Sequence, residues 1–142
     1  MKRPHHQNVI AWVLVLIFIV LAAGLAAALA MVFAPVRLTL EENRYSLTFL
    51  FHEESAQYAD LEEVSLLDDA YSSERVKSYG GISKEFGTYK NQDYGEHFRL
   101  TFSENKHNYI LLKRKDGSVT VFNQKTEKAT SSLYEELLAK LS

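Results

Sequence analysis

An uncharged run of 26 residues, Val9 to Ala34, constrains this chain more than anything else in its sequence. It reads VIAWVLVLIFIVLAAGLAAALAMVFA. As a helix rising about 1.5 Å per residue it would extend roughly 39 Å. A bilayer's hydrocarbon core is about 30 Å thick and is crossed by about 20 apolar residues. Backbone polar groups in hydrocarbon must pair within their own segment, so the run is expected to be a transmembrane α-helix over residues 9–34. Trp12 falls near one membrane–water interface, where amphipathic rings settle. Pro35 is a natural stop, because it lacks an N–H and disfavours helix at the residue before it.

The same run has a second reading. Lys2 and Arg3 form a basic start, and Ala28-Leu29-Ala30 has the small-residue form of a signal-peptidase site. Cleavage there would release a secreted β-domain. The apolar character continues through Met31-Val32-Phe33-Ala34 beyond that site, which favours an uncleaved anchor. Lys2, Arg3 and the α-amino group on one flank outweigh Arg37 and Arg44 on the other only slightly. The positive-inside rule then leaves residues 1–8 as a cytoplasmic tail and puts the rest outside the cytoplasm. Ala23 and Ala27, Gly24 and Ala28, and Ala26 and Ala30 recur four apart, a spacing that lets two helices approach closely as a homo-oligomer.

Residues 36–142 suit one domain. With Lys2 and Arg3 set aside, 14 basic residues face all 18 acidic ones, a formal charge of −4. Nucleic acids and anionic headgroups require a basic face, so neither is an expected partner of this domain. The chain has no cysteine, which excludes disulfides and thiolate chemistry.

Val36 to Leu40 alternates apolar and polar residues, the period of a half-buried strand. Tyr45 to Phe51 repeats the pattern, with Tyr45, Leu47, Phe49 and Phe51 expected on one face. His52 to Ala59 is polar, and Leu61 to Leu67 suits a third strand. Residues 68–94 have little periodicity, and a short strand or hairpin is expected near Phe86 to Tyr89. Gly95 to Phe102 alternates clearly. Tyr109 to Lys113 and Ser118 to Phe122 flank Asp116-Gly117, a pair that supplies the positive φ angles of tight hairpins. Leu133, Leu137, Leu138 and Leu141 mark one face of a C-terminal helix. Its start falls at a Ser132–Glu135 capping box or, alternatively, at Thr126. The expected fold is mainly β: an antiparallel sandwich or barrel of about six or seven strands closed by that helix.

Val64-Ser-Leu-Leu-Asp-Asp69, Tyr79-Gly80-Gly81, Phe86-Gly87-Thr88-Tyr89, the strand at 95–102, the Asp-Gly hairpin and the terminal helix occur in an order that resembles bacterial pleckstrin-homology-like (PH-like) domains attached to membrane spans. The likeness runs from about residue 36 to 141, and the polar segment 123–130 before the helix is longer than the pattern. The resemblance implies a binding module rather than a catalyst, with no catalytic residues to carry over.

The residues themselves show no catalytic signature. His5, His6, His52, His97 and His107 form no metal-ligand spacing, and no nucleophile elbow or phosphate loop is present. No metal or cofactor is expected. The glycine- and tyrosine-rich middle is the one candidate binding surface: Tyr79, Gly80, Gly81, Phe86, Tyr89 and Tyr94, with Lys84, Lys90 and Arg99 as local positive charge. Tyrosine offers large amphipathic contact area and glycine an adaptable backbone. The competing reading is a loop whose aromatics cover a sheet and whose glycines occupy positive φ. Together these features predict a non-catalytic, single-pass interaction module at the bacterial plasma membrane, held by lipid through residues 9–34 and acting on a membrane-protein partner. The alternative is an extracytoplasmic domain that senses a small ligand.

Overall fold

The computed structural model describes residues 5–80 and 83–142. The chain falls into two compact units, Met1–Ala34 and Pro35–Ser142. The first holds one helix, α1 (His5–Phe33). Its bulky side chains, Phe18 and Leu21 among them, are exposed all round. Residues 6–33 are long and apolar enough to cross a membrane. A helix that is hydrophobic on every side has no place on the surface of a water-soluble fold.

The second unit is mainly β, with two sheets and a C-terminal helix. β1 (Arg37–Leu40), β2 (Arg44–Phe49) and β3 (His52–Gln57) form an antiparallel meander. β4 (Leu61–Leu67), β5 (Glu74–Gly80), β6 (Lys84–Asn91), β7 (Gly95–Phe102), β8 (Tyr109–Arg114) and β9 (Val119–Phe122) form a six-stranded sheet ordered β4-β8-β9-β7-β6-β5. The nine strands among the described residues exceed the six or seven expected, and the extra ones come from residues 52–57 and 74–91. β3 escapes a hydrophobicity pattern because the side chains it turns inward are His52, Glu54 and Ala56.

β9 inserts between β8 and β7 and runs parallel to β7, whereas the other pairs among the described residues are antiparallel. The chain must therefore cross the sheet end between β7 and β8. Buried asparagines fix that crossing. Asn123, at the end of β9, accepts from the Phe102 amide (2.7 Å) and donates to the Asn105 carbonyl (2.8 Å). Asn105 in turn donates to Asn108 Oδ1 and Thr130 Oγ1.

Tyr45, Leu47 and Phe49 share one face of β2 and are buried, as the alternation predicts. Phe51 departs from that face. The strand ends at Phe49, which pairs with His52, and Leu50-Phe51 form the turn. The two sheets meet through Phe49 against Phe86 (ring centroids 5.1 Å) and His52 stacked on Phe98 (4.3 Å). α2 (Glu127–Leu141) starts at Thr126, whose hydroxyl accepts from the Ala129 amide, and Ser132 lies inside the helix. α2 packs against β4 and β8, with Leu137 fully buried.

Candidate functional site

Strand alternation divides β7 between two environments. Phe98 faces the small sheet, so His97, Arg99 and Thr101 project from the other side of the six-stranded sheet. In register, Tyr89 of β6 stands opposite His97, and Gly87 stands opposite Arg99. Val121 of β9 lies on the other flank of Arg99. Tyr109, Leu111, Val119 and Val121 form a small apolar cluster on this side, onto which Leu67, Tyr71 and Tyr94 pack. This outer face is thus a second core, covered by the β4–β5 loop that carries Tyr71 and by the β6–β7 turn that carries Tyr94.

Arg99 is the centre of the arrangement. Its guanidinium carbon lies 4.9 Å from the Tyr89 ring centroid, 5.5 Å from Tyr71 and 5.8 Å from Tyr109. Cations are attracted to aromatic faces at such distances, more so when water is excluded. The guanidinium also donates to Thr101 Oγ1 (2.9 Å) and Ser73 Oγ (3.0 Å) and pairs with Glu85 at 3.3 Å. The absent side chain at Gly87, opposite Arg99, lets the β5 backbone at Lys77 and Ser78 close against β6.

The Tyr71 hydroxyl lies 3.1 Å from Ser73 Oγ and 2.6 Å from His97 Nε2. His97 Nδ1 is 2.9 Å from the Gly95 carbonyl, which only accepts. Nδ1 therefore carries the proton, and Nε2 of the neutral ring accepts from Tyr71. Burial pushes the His97 pKa below its ordinary value, and the neighbouring Arg99 charge adds to this against the Gly95 hydrogen bond. Burial likewise raises Tyr71 and Tyr109. Tyr89 is 2% exposed, and its hydroxyl has no hydrogen-bond partner among the described residues.

A polar cleft of about 720 Å³ borders this cluster, between the loop at Ser72-Ser73-Glu74 and the turn at Asn91-Gln92-Asp93. Ser73 links the two regions, because it lines the cleft and is held by Arg99. Asn91 staples the walls, donating to the Ser72 carbonyl (3.1 Å) and accepting from the Tyr94 amide (2.8 Å).

The structure divides the residues singled out in the sequence. Tyr89 and Tyr94 belong to this cluster, and the Tyr94 ring lies 6.2 Å from His97. Phe86 lies on the opposite face against Phe49. The Tyr79 and Gly80 backbones pair with Phe86 and Glu85 in β5, and Gly81 lies outside the described residues. Lys84 is buried on the Phe86 side, its Nζ 5.1 Å from the Phe102 ring centroid, and burial lowers its pKa. Lys90 is exposed at the cleft. Tyr71 and Tyr109 carry no sequence signal that marks them as part of the site, and Arg99, expected as local positive charge, lies largely buried at its centre. Among the described residues, no group of three His, Asp or Glu side chains could hold a metal ion.

The neutral state of His97 gives the domain a pH dependence. Its folded pKa lies below its unfolded one, so the unfolded chain binds more protons at acid pH. The His97 contribution is complete above the unfolded value near 6.5 and is lost as pH falls through the depressed folded value. Thermal melts should therefore show stability declining below about pH 6.5, with a shallower decline in His97→Gln. Parallel slopes in the two proteins would show that His97 is not the group responsible.

Compared with known proteins, the chain matches no family model, no curated protein and no solved structure.

Proposed function

We propose that this chain is a non-catalytic, single-pass membrane-anchored interaction module of PH-like type, an accessory or assembly subunit at the plasma membrane. In this reading α1 stays in the bilayer, the N-terminus is cytoplasmic, and the β-domain recruits a membrane-protein partner on the other side. The observation that carries it is the open polar cleft between the β4–β5 loop and the β6–β7 turn, whose wall at Ser73 is held from beneath by the buried Arg99–tyrosine cluster. Loops held in place by a rigid scaffold are where binding residues concentrate, and protein interfaces tolerate polar, solvated rims. Small-molecule sites are by contrast mostly apolar and enclosing. The ligand-sensing alternative draws its support from the buried Tyr89 hydroxyl, which has no hydrogen-bond partner among the described residues.

Photo-crosslinking in intact membranes tests the proposal. A photoreactive residue at Gln92, on the cleft, is expected to capture a discrete protein partner. The same residue at Lys115, on the β8–β9 turn, should capture none. Monomer alone at both positions would overturn the interaction role. A small-molecule thermal shift abolished by Tyr89→Phe would favour ligand sensing instead.

A further inference from the structure

The turn between β2 and β3 exposes the two residues that a folded domain would be expected to hide. Phe51 is 104% exposed and Leu50 is 41% exposed. Leu50 is also the one non-glycine residue with positive φ (51°) among the described residues. A two-residue hairpin with positive φ at its first central position normally takes glycine there, because a side chain is strained in that region. The domain therefore carries strain, one fully solvated aromatic side chain and one partly exposed leucine at a single point.

The register of the first sheet says which way this point faces. Arg37, the first residue of β1, pairs with Thr48 of β2, so Leu50 and Phe51 continue past the start of β1. They extend about 7 Å further, at about 3.4 Å per residue, on the side from which the chain enters the sheet. Only residues 34–36 separate β1 from the end of α1, and the four steps from Phe33 to Arg37 reach about 14 Å at most. A bilayer that holds the apolar segment thus keeps the entering end of the sheet on the side where the segment emerges, within that distance of the residue where α1 ends. The β8–β9 turn belongs to the other end: the Lys115 amide bonds to the Asp60 carbonyl, beyond Gln57, the β3 residue that pairs with Arg44.

We infer that Leu50 and Phe51 form a second membrane contact, a hairpin tip that dips into the headgroup–acyl boundary of the bilayer that anchors the chain. This rests on the anchor reading of residues 9–34. A lipid surface fits better than a protein partner on grounds of size. Two side chains fall far short of the roughly 800 Å² per partner that a stable protein interface buries. They suffice for a contact that the tether makes intramolecular, since tethering supplies a high effective concentration. Aromatic and aliphatic side chains settle about 5–10 Å into this boundary. The contact would fix the tilt of the β-domain on the membrane and so the direction in which its cleft opens.

The absence of cysteine makes a direct test possible. Single variants Phe51→Cys, Lys115→Cys and Phe18→Cys of the full chain are labelled with NBD. Each is reconstituted alone into phosphatidylcholine–phosphatidylglycerol vesicles with or without acyl-chain spin-labelled lipid. Position 18 should be blue-shifted and quenched by the spin label, position 51 likewise, and position 115 neither. Quenching at 18 with a water-like, unquenched signal at 51 would overturn the inference and leave the anchor standing. A water-like signal at 18 would overturn the anchor and, with it, this contact. A blue shift at 51 without lipid quenching would mean contact with a second copy, and equal quenching at 51 and 115 would mean no defined tilt. Either result overturns the inference.

Discussion

Replacing Glu54 with alanine is expected to destabilise the β-domain by about 3–5 kcal/mol, the range found when one partner of a buried ion pair is removed. Glu54 comes from the small sheet and Arg114 from the large one, and each side chain is only 16% exposed. Arg114 donates to Glu54 and to the Tyr45 hydroxyl (3.0 Å), Ser118 Oγ (2.6 Å) and Thr120 Oγ1 (3.2 Å). Thr120, fully buried, places its hydroxyl 2.8 Å from both carboxylate oxygens. Alanine would leave a guanidinium and a hydroxyl facing each other in a mostly buried interface. Domains of this size are stable by only about 5–15 kcal/mol, so the loss would remove a large fraction of the total. Glu54→Gln, which keeps an acceptor oxygen, should cost less. The double variant Glu54→Met, Arg114→Met should recover most of the loss, because the penalty lies in the uncompensated charge. Urea unfolding of the full chain in detergent, followed by circular dichroism, reads all three. A Glu54→Ala loss below about 1 kcal/mol, the value of an exposed pair, would show that the interaction does not join the sheets.

The same residues explain what the sequence could and could not reveal. β7 and the C-terminal helix were legible because each obeys one period with apolar residues facing the core, the β8–β9 hairpin because Asp116-Gly117 sits between two apolar runs, and β4 by its apolar residues alone. β3 was not, because its inward positions are His52 and Glu54, and their partners Phe98 and Arg114 lie far along the chain. The insertion of β9 beside β7 was not legible either. It depends on Asn105, Asn108 and Asn123, which look like ordinary turn residues until they are seen bonded across the crossing. The candidate site was half legible. Tyr89 and Tyr94 stood out by composition. Phe86 was grouped with them by proximity in sequence, although its position three residues before Tyr89 puts it on the other face of a strand. His97, Arg99 and Thr101 read as the solvated half of an alternating strand. The β4–β5 loop that covers them, with Tyr71 at its centre, belongs to the stretch with no period at all.

Gly87→Ala is expected to destabilise the domain by about 2–6 kcal/mol, combining about 1–3 for a strained backbone with about 1–3 for overpacking. Gly87 has φ +136°, and a Cβ built there would lie 2.3 Å from the Lys77 carbonyl oxygen and 2.7 Å from the Ser78 Cα. Both atoms are backbone of β5, the strand paired with β6 at this point. A flexible side chain could swing away from such a clash, but a hydrogen-bonded edge strand can relieve it only by moving. The position also stands opposite Arg99, so β5 would lift off beside the tyrosine cluster. Hydrogen exchange should therefore show β5 and β6 amides losing protection while β8 and β9 keep theirs, a local opening rather than a uniform loss. Gly117→Ala supplies the contrast. Gly117 too has positive φ (+90°), but a Cβ there meets nothing within 4 Å, so only backbone strain should register. If both variants unfolded at the same denaturant concentration, the approach of β5 to Gly87 would not be a constraint on the fold. A selective loss at Gly87 would identify this glycine as the residue that lets the edge strand close beside the Arg99 cluster.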